Sequence, residues 1–227
     1  VRATGRRLRG PRRAGSGAGR GEAGRVGVPA ILGTQESASI SAELEAALGV
    51  PVFEVPMGPP SLLGSRLEAE LHAALDRAGV SMELGNPVVD ADADARISTV
   101  YVEKNHAQIP YAASEYVLAT GGLVGKGVGS DRSQVHEPVF GCHIPHPADR
   151  SDWYDDDVFG AHPFARFGVR VGGDLRPQTA DGAIEYQNLR AAGSVIGGAD
   201  FAKEKSGSGI SIATGVAAGT AAAEEAA

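Results

Sequence analysis

The stretch that most narrows the possible folds lies near the end of the sequence. Residues 191–195 read as a strand, Ile196-Gly197-Gly198-Ala199-Asp200 as a glycine-rich turn, and from about Ser208 an Ala-rich helix runs onward. Small residues at such a junction let backbone N–H groups approach a ligand, and the helix start favours an electron-rich or anionic group. Gly197, Gly198, Asp200, Ser208 and Gly209 are therefore candidate binding residues, Asp200 as an acceptor for ligand hydroxyls. Close packing of a helix on a sheet would use the same glycines, so the unit alone does not decide between ligand and scaffold.

Upstream, strand and helix signals alternate. Residues 26–32 form a short β-branched run, and Ile40, Leu44, Ala47 and Leu48 fall on one helical face that Gly49 closes. Residues 50–55 read as the next strand. After the turn Met57-Gly58-Pro59-Pro60, Ser61 can cap a helix whose apolar face is Leu63, Leu67, Leu71, Ala74 and Leu75, ending at Gly79. Extended segments are expected at 80–84, 87–91 and 97–104, with an acidic turn around Asp90, Asp92 and Asp94. Residues 111–120 end as a buried strand running into Thr120-Gly121-Gly122. This alternation predicts an α/β fold with helices flanking a sheet. Residues 134–180, rich in proline, aromatics and histidine and poor in periodicity, read as a smaller inserted region. The expected division is 1–25, 26–133, 134–180 and 181–227.

Composition sets bounds on partners and compartment. One cysteine, Cys142, excludes an internal disulfide framework and fits a reducing, cytoplasmic setting. No apolar run is long enough to span a bilayer, so attachment to a membrane would come through a partner. The net charge of −7 hides a split: residues 1–25 hold eight arginines and one acid, while the other 202 residues carry 13 basic and 27 acidic groups. Only four lysines occur, Lys104, Lys126, Lys203 and Lys205. A dense carboxylate surface with so few lysines suits a protein kept soluble in concentrated salt, and no nucleic-acid partner is expected of it. The Arg-Gly-Ala leader has no hydrophobic periodicity, so it is expected to be a disordered basic segment or non-native sequence.

Several motifs fail on context. Gly19, Gly21 and Gly24 spell G-x-G-x-x-G, but an Arg-rich coil precedes them and a strand-like run follows, the reverse of what a pyrophosphate cradle needs. Cys142, His143, His146 and Asp149 are close in sequence, but the intervening prolines and the spacing match no standard zinc pattern, so no metal is expected. Gly209-Ile210-Ser211-Ile212-Ala213 only approximates a nucleophile elbow. His162, Arg166 and Arg176, on expected loops, are of the types that bind an oxyanion and move protons; loop packing would use the same side chains. Arg66, near the start of its helix, stands out from a segment otherwise read as scaffold.

The order of these pieces resembles a known family. Arg66-Leu67-Glu68-Ala69-Glu70-Leu71, then Gly79, then Ala119-Thr120-Gly121-Gly122, is similar to the two-domain flavoproteins related to fumarate reductases. Within that group, Pro59-Pro60-Ser61-Leu62-Leu63-Gly64-Ser65-Arg66-Leu67 resembles the P-P-S-x-x-G-x-R-L of the B-subunit family of anaerobic glycerol-3-phosphate dehydrogenases. The same holds for Asn105-His106-Ala107-Gln108-Ile109-Pro110, Glu137-Pro138-Val139-Phe140-Gly141, Phe167-Gly168-Val169 and Leu175-Arg176-Pro177. Asn188-Leu189-Arg190-Ala191-Ala192-Gly193-Ser194-Val195-Ile196-Gly197-Gly198-Ala199-Asp200 completes the series. The resemblance covers about residues 26–225.

It implies an incomplete Rossmann-like flavin-binding domain, FMN (or FAD) as cofactor, and oxidation of sn-glycerol 3-phosphate to dihydroxyacetone phosphate. It further implies a catalytic FAD subunit and an iron–sulfur, membrane-attached subunit as partners, with electrons passing to quinone. Carried over by position, the 197–200 loop and the helix start at 206–211 would contact the flavin, with Thr120, Gly121 and Gly122 nearby. The family's opening strand and G-x-G-x-x-G turn have no counterpart in residues 1–25, so the sequence reads as an N-terminally truncated member. Another fumarate-reductase-like FAD oxidoreductase, and a cofactor-free fragment or assembly subunit, remain as alternatives.

Overall fold

The computed structural model describes residues 24–227. Residues 1–23 of the leader, with Gly19 and Gly21 of its G-x-G-x-x-G, lie outside the described residues. The chain divides into two compact units, the first running to Met82 and the second spanning Glu83–Ala227.

In the first unit, strands β1 (Val26–Pro29) and β2 (Val52–Val55) pair in parallel with Val26 opposite Val52. Helix α1 (Ser37–Leu48) joins them, and helix α2 (Leu62–Arg77) follows. The punctuation follows the sequence. Gly49 ends α1 in a left-handed conformation, and the Ser61 hydroxyl accepts the Gly64 N–H at 3.1 Å to cap α2. The expected apolar face of α2 is present but open, with Leu67 and Leu71 more than half exposed. Arg66 is not a solvated charge. It ion-pairs with Glu54 of β2 and donates from Nε to the Gly33 carbonyl at 2.7 Å, while the same carboxylate accepts the Leu32 N–H. One side chain thus ties α2 to the loop after β1 and to β2.

The second unit holds the main core. Strands β3 (Val88–Ala93), β4 (Ile97–Lys104) and β5 (Ala107–Tyr111) form an antiparallel meander. Asn105 and His106 make its second turn with positive φ at both residues, as a two-residue hairpin requires. Two expectations change here. Asp90 and Asp92 lie within β3 rather than in a turn, because β3 is an exposed strand whose solvent face tolerates carboxylates. Residues 80–84 form no strand. Strand β6 (Tyr116–Leu118) then pairs in parallel with β9 (Leu189–Ala191), while β7 (Gly129–Ser130) and β8 (Val135–His136) make a small hairpin. Asn188, 1% exposed, joins the two sheets: its Oδ1 accepts the Ile97 N–H at 2.8 Å and its Nδ2 donates to the Ile97 and Ser114 carbonyls.

Residues 137–188 contain two 3-10 turns, Arg150–Trp153 and Pro163–Arg166, and isolated bridges, in keeping with their weak periodicity. The segment expected as strand 191–195 is shorter: β9 stops at Ala191 and a 3-10 turn, Gly193–Val195, follows. Gly193 has φ of 74°, which ends the extended run. A short helix, α3 (Phe201–Glu204), precedes the long helix α4 (Gly207–Ala226). Ile97, Leu118, Val128, Val135, Cys142, Ile144, Trp153, Phe167, Val169, Leu189, Ala191 and Val195 form one core that carries both sheets and the irregular segment.

Candidate functional site

Strands β6 and β9 run in parallel, so the loops after both leave from the same edge of the pair. Ligands of open parallel sheets bind outside such carboxyl ends. Three segments meet there: residues 121–125 after β6, 193–201 after β9, and the first turns of α4. Hydrogen bonds fix them to one another. The Gly122 N–H donates to Ser194 Oγ at 3.1 Å, the Gly193 N–H donates to Thr214 Oγ1 at 2.8 Å, and that hydroxyl donates to the Ile210 carbonyl within α4. A Cβ on Gly122 would stand 2.7 Å from the Ser194 carbonyl oxygen, so only glycine permits this approach.

The three segments, with Phe164, Ala165 and Phe167, enclose a cavity of about 420 Å³. Its walls are mostly apolar, with Ser194, Asp200 and Ser211 as polar points and Gly207 presenting the start of α4. Such a lining, apolar with a few placed polar groups, is the usual make-up of a small-molecule site of about 300–1,000 Å³. Val124, at its rim, is fully exposed. Ser206, next to the first residue of α4, buries its hydroxyl without a hydrogen-bond partner. The first amides of a helix also lack intrahelical acceptors. An apolar wall with Ser194, Asp200, Ser211 and the start of α4 at its edge fits a flat heteroaromatic ring with polar edges.

The expected binding residues fall into three groups. Gly122 and Asp200 line the cavity. Thr120 and Gly121 lead into its glycine wall without lining it, and Ser208 and Gly209 lie in the first turn of α4, Gly209 with open space beside it. Gly197 and Gly198 line a neighbouring recess with Arg166, Gly168 and Arg170. Asp200 is buried, and its Oδ1 caps α3 by accepting the Lys203 N–H at 3.0 Å.

Arg166 and His162 come together, with Asp200 and Lys203, around a further recess. Arg166 grips the glycine turn: its carbonyl accepts the Gly198 N–H at 2.9 Å, while its guanidinium donates to the Gly198 carbonyl and, at 2.7 Å, to Glu204. His162 accepts the Asp155 N–H at Nδ1, which places its proton on Nε2, within 3.0 Å of the Val158 carbonyl. Arg176 stands elsewhere, bonded to Asp174, to the Gln187 carbonyl and to Glu225 near the end of α4. Arg190, 1% exposed, shares Glu225 and also pairs with buried Glu115 at 2.9 Å.

Cys142, His143, His146 and Asp149 are each engaged differently. His146 joins the Ile144 carbonyl at 2.7 Å and Asp149 caps a 3-10 turn. Burial, with Glu137 and Glu185 nearby, pushes the Cys142 thiol far up. Among the described residues, no three His, Cys, Asp or Glu side chains gather to hold a metal ion.

Sequence reasoning missed Ser194, Phe164, Phe167 and Phe201, while Ser211 lies within the helix start 206–211 that was expected to meet the ligand. Ser194 was legible in principle, because it follows a glycine that ends a strand. Phe164 and Phe167 carry no local signal, since they reach the cavity from a segment without periodicity, and Phe201 opens a helix of only four residues.

The chain is 62% identical over 204 residues to the B-subunit of the probable anaerobic glycerol-3-phosphate dehydrogenase of Halobacterium salinarum, covering 89% of this chain and 48% of that protein. It is 35% identical over 190 residues to the B-subunit of the anaerobic glycerol-3-phosphate dehydrogenase of Yersinia pseudotuberculosis, covering 83% and 44%. The Vibrio vulnificus protein of that name is 34% identical over 194 residues, covering 84% and 44%. The chain thus spans about half the length of the curated relatives it matches. No solved structure matches it. The model of the FAD binding domain matches residues 11–210, and with that match across most of its length the chain belongs to the FAD binding domain family.

Proposed function

We propose that the cavity at the carboxyl ends of β6 and β9 holds the ring of a flavin, FAD by the description of the family, in an oxidoreductase subunit that acts on sn-glycerol 3-phosphate. The observation that carries this reading is the convergence of Gly122, Ser194, Asp200, Ser211 and the start of α4 on one apolar cavity. The named relatives support the substrate, and the Halobacterium protein among them supports adaptation to salt. In this reading the chain is an incomplete Rossmann-like flavin-binding domain in which residues 134–180 form an inserted substrate region. It works in a complex with a catalytic FAD subunit and an iron–sulfur subunit that meets the membrane and quinone. Among the described residues no helix is long and apolar enough to cross a membrane.

A bound flavin supplies the acceptor for a hydride from the substrate carbinol. The chain supplies the holding groups. Phe164, Phe167 and Phe201 exclude water from the ring, Ser194 fixes the Gly122 backbone, and Ser211 with the first α4 amides offers donors to a polar edge. Asp200 offers a carboxylate oxygen to a ligand hydroxyl. Arg166, His162 and Arg176 act here as positioning groups for the glycine turn, the loop before it and α4.

The test is the visible absorption of the full chain titrated with FAD and with FMN in molar KCl. A flavin spectrum retained after gel filtration, with FAD held more tightly, is the expected result. A folded, colourless protein under both titrations would overturn the flavin reading. With flavin bound, bleaching by glycerol 3-phosphate in the assembled complex tests the substrate.

A further inference from the structure

Residues 154–162 form a loop that is tightly ordered yet holds its largest apolar side chains in solvent. Its base is anchored in the core, where Trp153 is 7% exposed and donates from Nε1 to the Pro147 carbonyl at 2.8 Å. Beyond it the loop is bonded to itself. Asp155 Oδ1 accepts the Asp157 N–H at 2.9 Å, Asp157 Oδ1 accepts the Phe159 N–H at 3.0 Å, and the Gly160 N–H returns to the Asp157 carbonyl at 2.7 Å. The His162 ring staples both sides, taking the Asp155 N–H and reaching the Val158 carbonyl. A Cβ on Gly160 would stand 2.5 Å from the Asp155 side chain, so the closure depends on glycine. At the tip Phe159 is 93% and Val158 78% exposed.

Loop tips are ordinarily small, polar and mobile. Here a hydrogen-bonded frame fixes the backbone that presents an aromatic to water, so the backbone part of the ordering entropy of a contact is met before contact. Rigid, exposed aromatics of this kind are the residues that dominate protein interfaces once a socket covers them. The charge around the tip selects the socket. Asp155, Asp156 and Asp157 stand beside Val158 and Phe159. Three carboxylates repel an anionic membrane surface, a nucleic acid and a second copy of the same loop, and they attract a rim of arginine or lysine.

We infer that the Val158–Phe159 tip is a docking knob for another protein subunit, inserted into an apolar socket with a basic rim. The inference rests on the reading of this chain as one subunit of a multi-subunit enzyme.

The experiment uses the full chain in molar KCl with the companion subunits of its complex, and measures their dissociation constant by interferometry for wild type, Phe159→Ala and the triple variant Asp155→Asn, Asp156→Asn, Asp157→Asn. Phe159→Ala is expected to weaken assembly at least about tenfold, a loss typical of a central aromatic anchor. Its flavin content and unfolding midpoint should match wild type, because the side chain touches little of its own chain. The triple variant should flatten the salt dependence of the association rate. Equal dissociation constants for wild type and Phe159→Ala would overturn the knob. So would Phe159-dependent self-association, or Phe159-dependent binding to anionic phospholipid vesicles. Failure of wild type to assemble would instead overturn the subunit reading beneath it.

Discussion

Gly122 shows how much of the site depends on a missing side chain. Its backbone N–H is bonded to Ser194 Oγ, and the space a methyl group would need is taken by the Ser194 carbonyl oxygen 2.7 Å away. Backbone cannot yield as a flexible side chain can, so Gly122→Ala must push apart the loops that follow β6 and β9. The expected outcome is a loss of flavin affinity of about ten-fold or more with a smaller change in stability, read by titration and by thermal unfolding of the ligand-free protein. Unchanged affinity would mean that the ligand rests on other atoms. At this scale the sequence was informative in part. Gly122 and Asp200 could be named as candidates from their places after strands, and both line the cavity, but close packing uses the same residue types, so the sequence alone could not choose between the two uses. Arg166, His162 and Arg176 were legible only as residue types. What a guanidinium binds is set by which carbonyls and carboxylates the fold brings near it, and here those are Gly198, Glu204, Asp174 and Glu225.

Helix α4 is held at both ends by different chemistry. Its first turns are fixed to the 193–194 turn through Thr214, and its last through Glu225, which Arg176 and Arg190 grip together. Arg190 is the buried member, and among the described residues its removal leaves the shielded Glu115 carboxylate with only the longer contact to the exposed Arg96 at 3.5 Å. Arg190→Ala is expected to cost about 3–5 kcal/mol, measured by denaturant unfolding at constant salt. Glu225 gives the clamp a pH signature. The Arg176 guanidinium, and then Arg190, hold its carboxyl below the usual glutamate value of 4.5. A depressed folded-state value means stability that is complete above the unfolded value and lost as pH falls through the folded one. Glu225→Gln should therefore reduce the steepness of acid destabilisation below pH 4.5 and leave a lower midpoint near neutrality. An unaltered acid limb would remove Glu225 from the clamp. Elements with strong periodicity or punctuation, such as α1, α2, β4 and α4, were readable from sequence to within about two residues. Strands of three residues and 3-10 turns were not, because they are held by distant partners such as Asn188 rather than by local preference.

Across the whole molecule the dominant property is net charge. With −7 overall, and 13 basic against 27 acidic groups after residue 25, the body repels itself at low ionic strength. Salt shortens the range of that repulsion from about 10 Å at 0.1 M to about 3 Å at 1 M. The protein is expected to gain stability steadily as KCl rises from about 0.1 to about 2 M, with a rising urea midpoint and no change in secondary structure. A flat midpoint would show that the acidic surface is neutral to folding. Buried Arg190–Glu115 should be little affected, while exposed pairs such as Lys104–Glu83 weaken. The charge balance was readable directly, since charge is additive along a chain. The division at Met82 was not, because it depends on contacts.

Trp153 is the only tryptophan in the chain, and its ring meets Phe167 edge-on with centroids 5.8 Å apart. Phe167 in turn forms part of the cavity wall. The chain therefore carries its own optical reporter one ring away from the proposed flavin site. Indole emission overlaps the near-ultraviolet absorption of a flavin, so occupancy can be followed as loss of intrinsic fluorescence, in any salt concentration and with no label attached. The same indole sits at the root of the 154–162 loop, so a socket closing over Phe159 should leave its mark on the colour of that emission rather than on its strength.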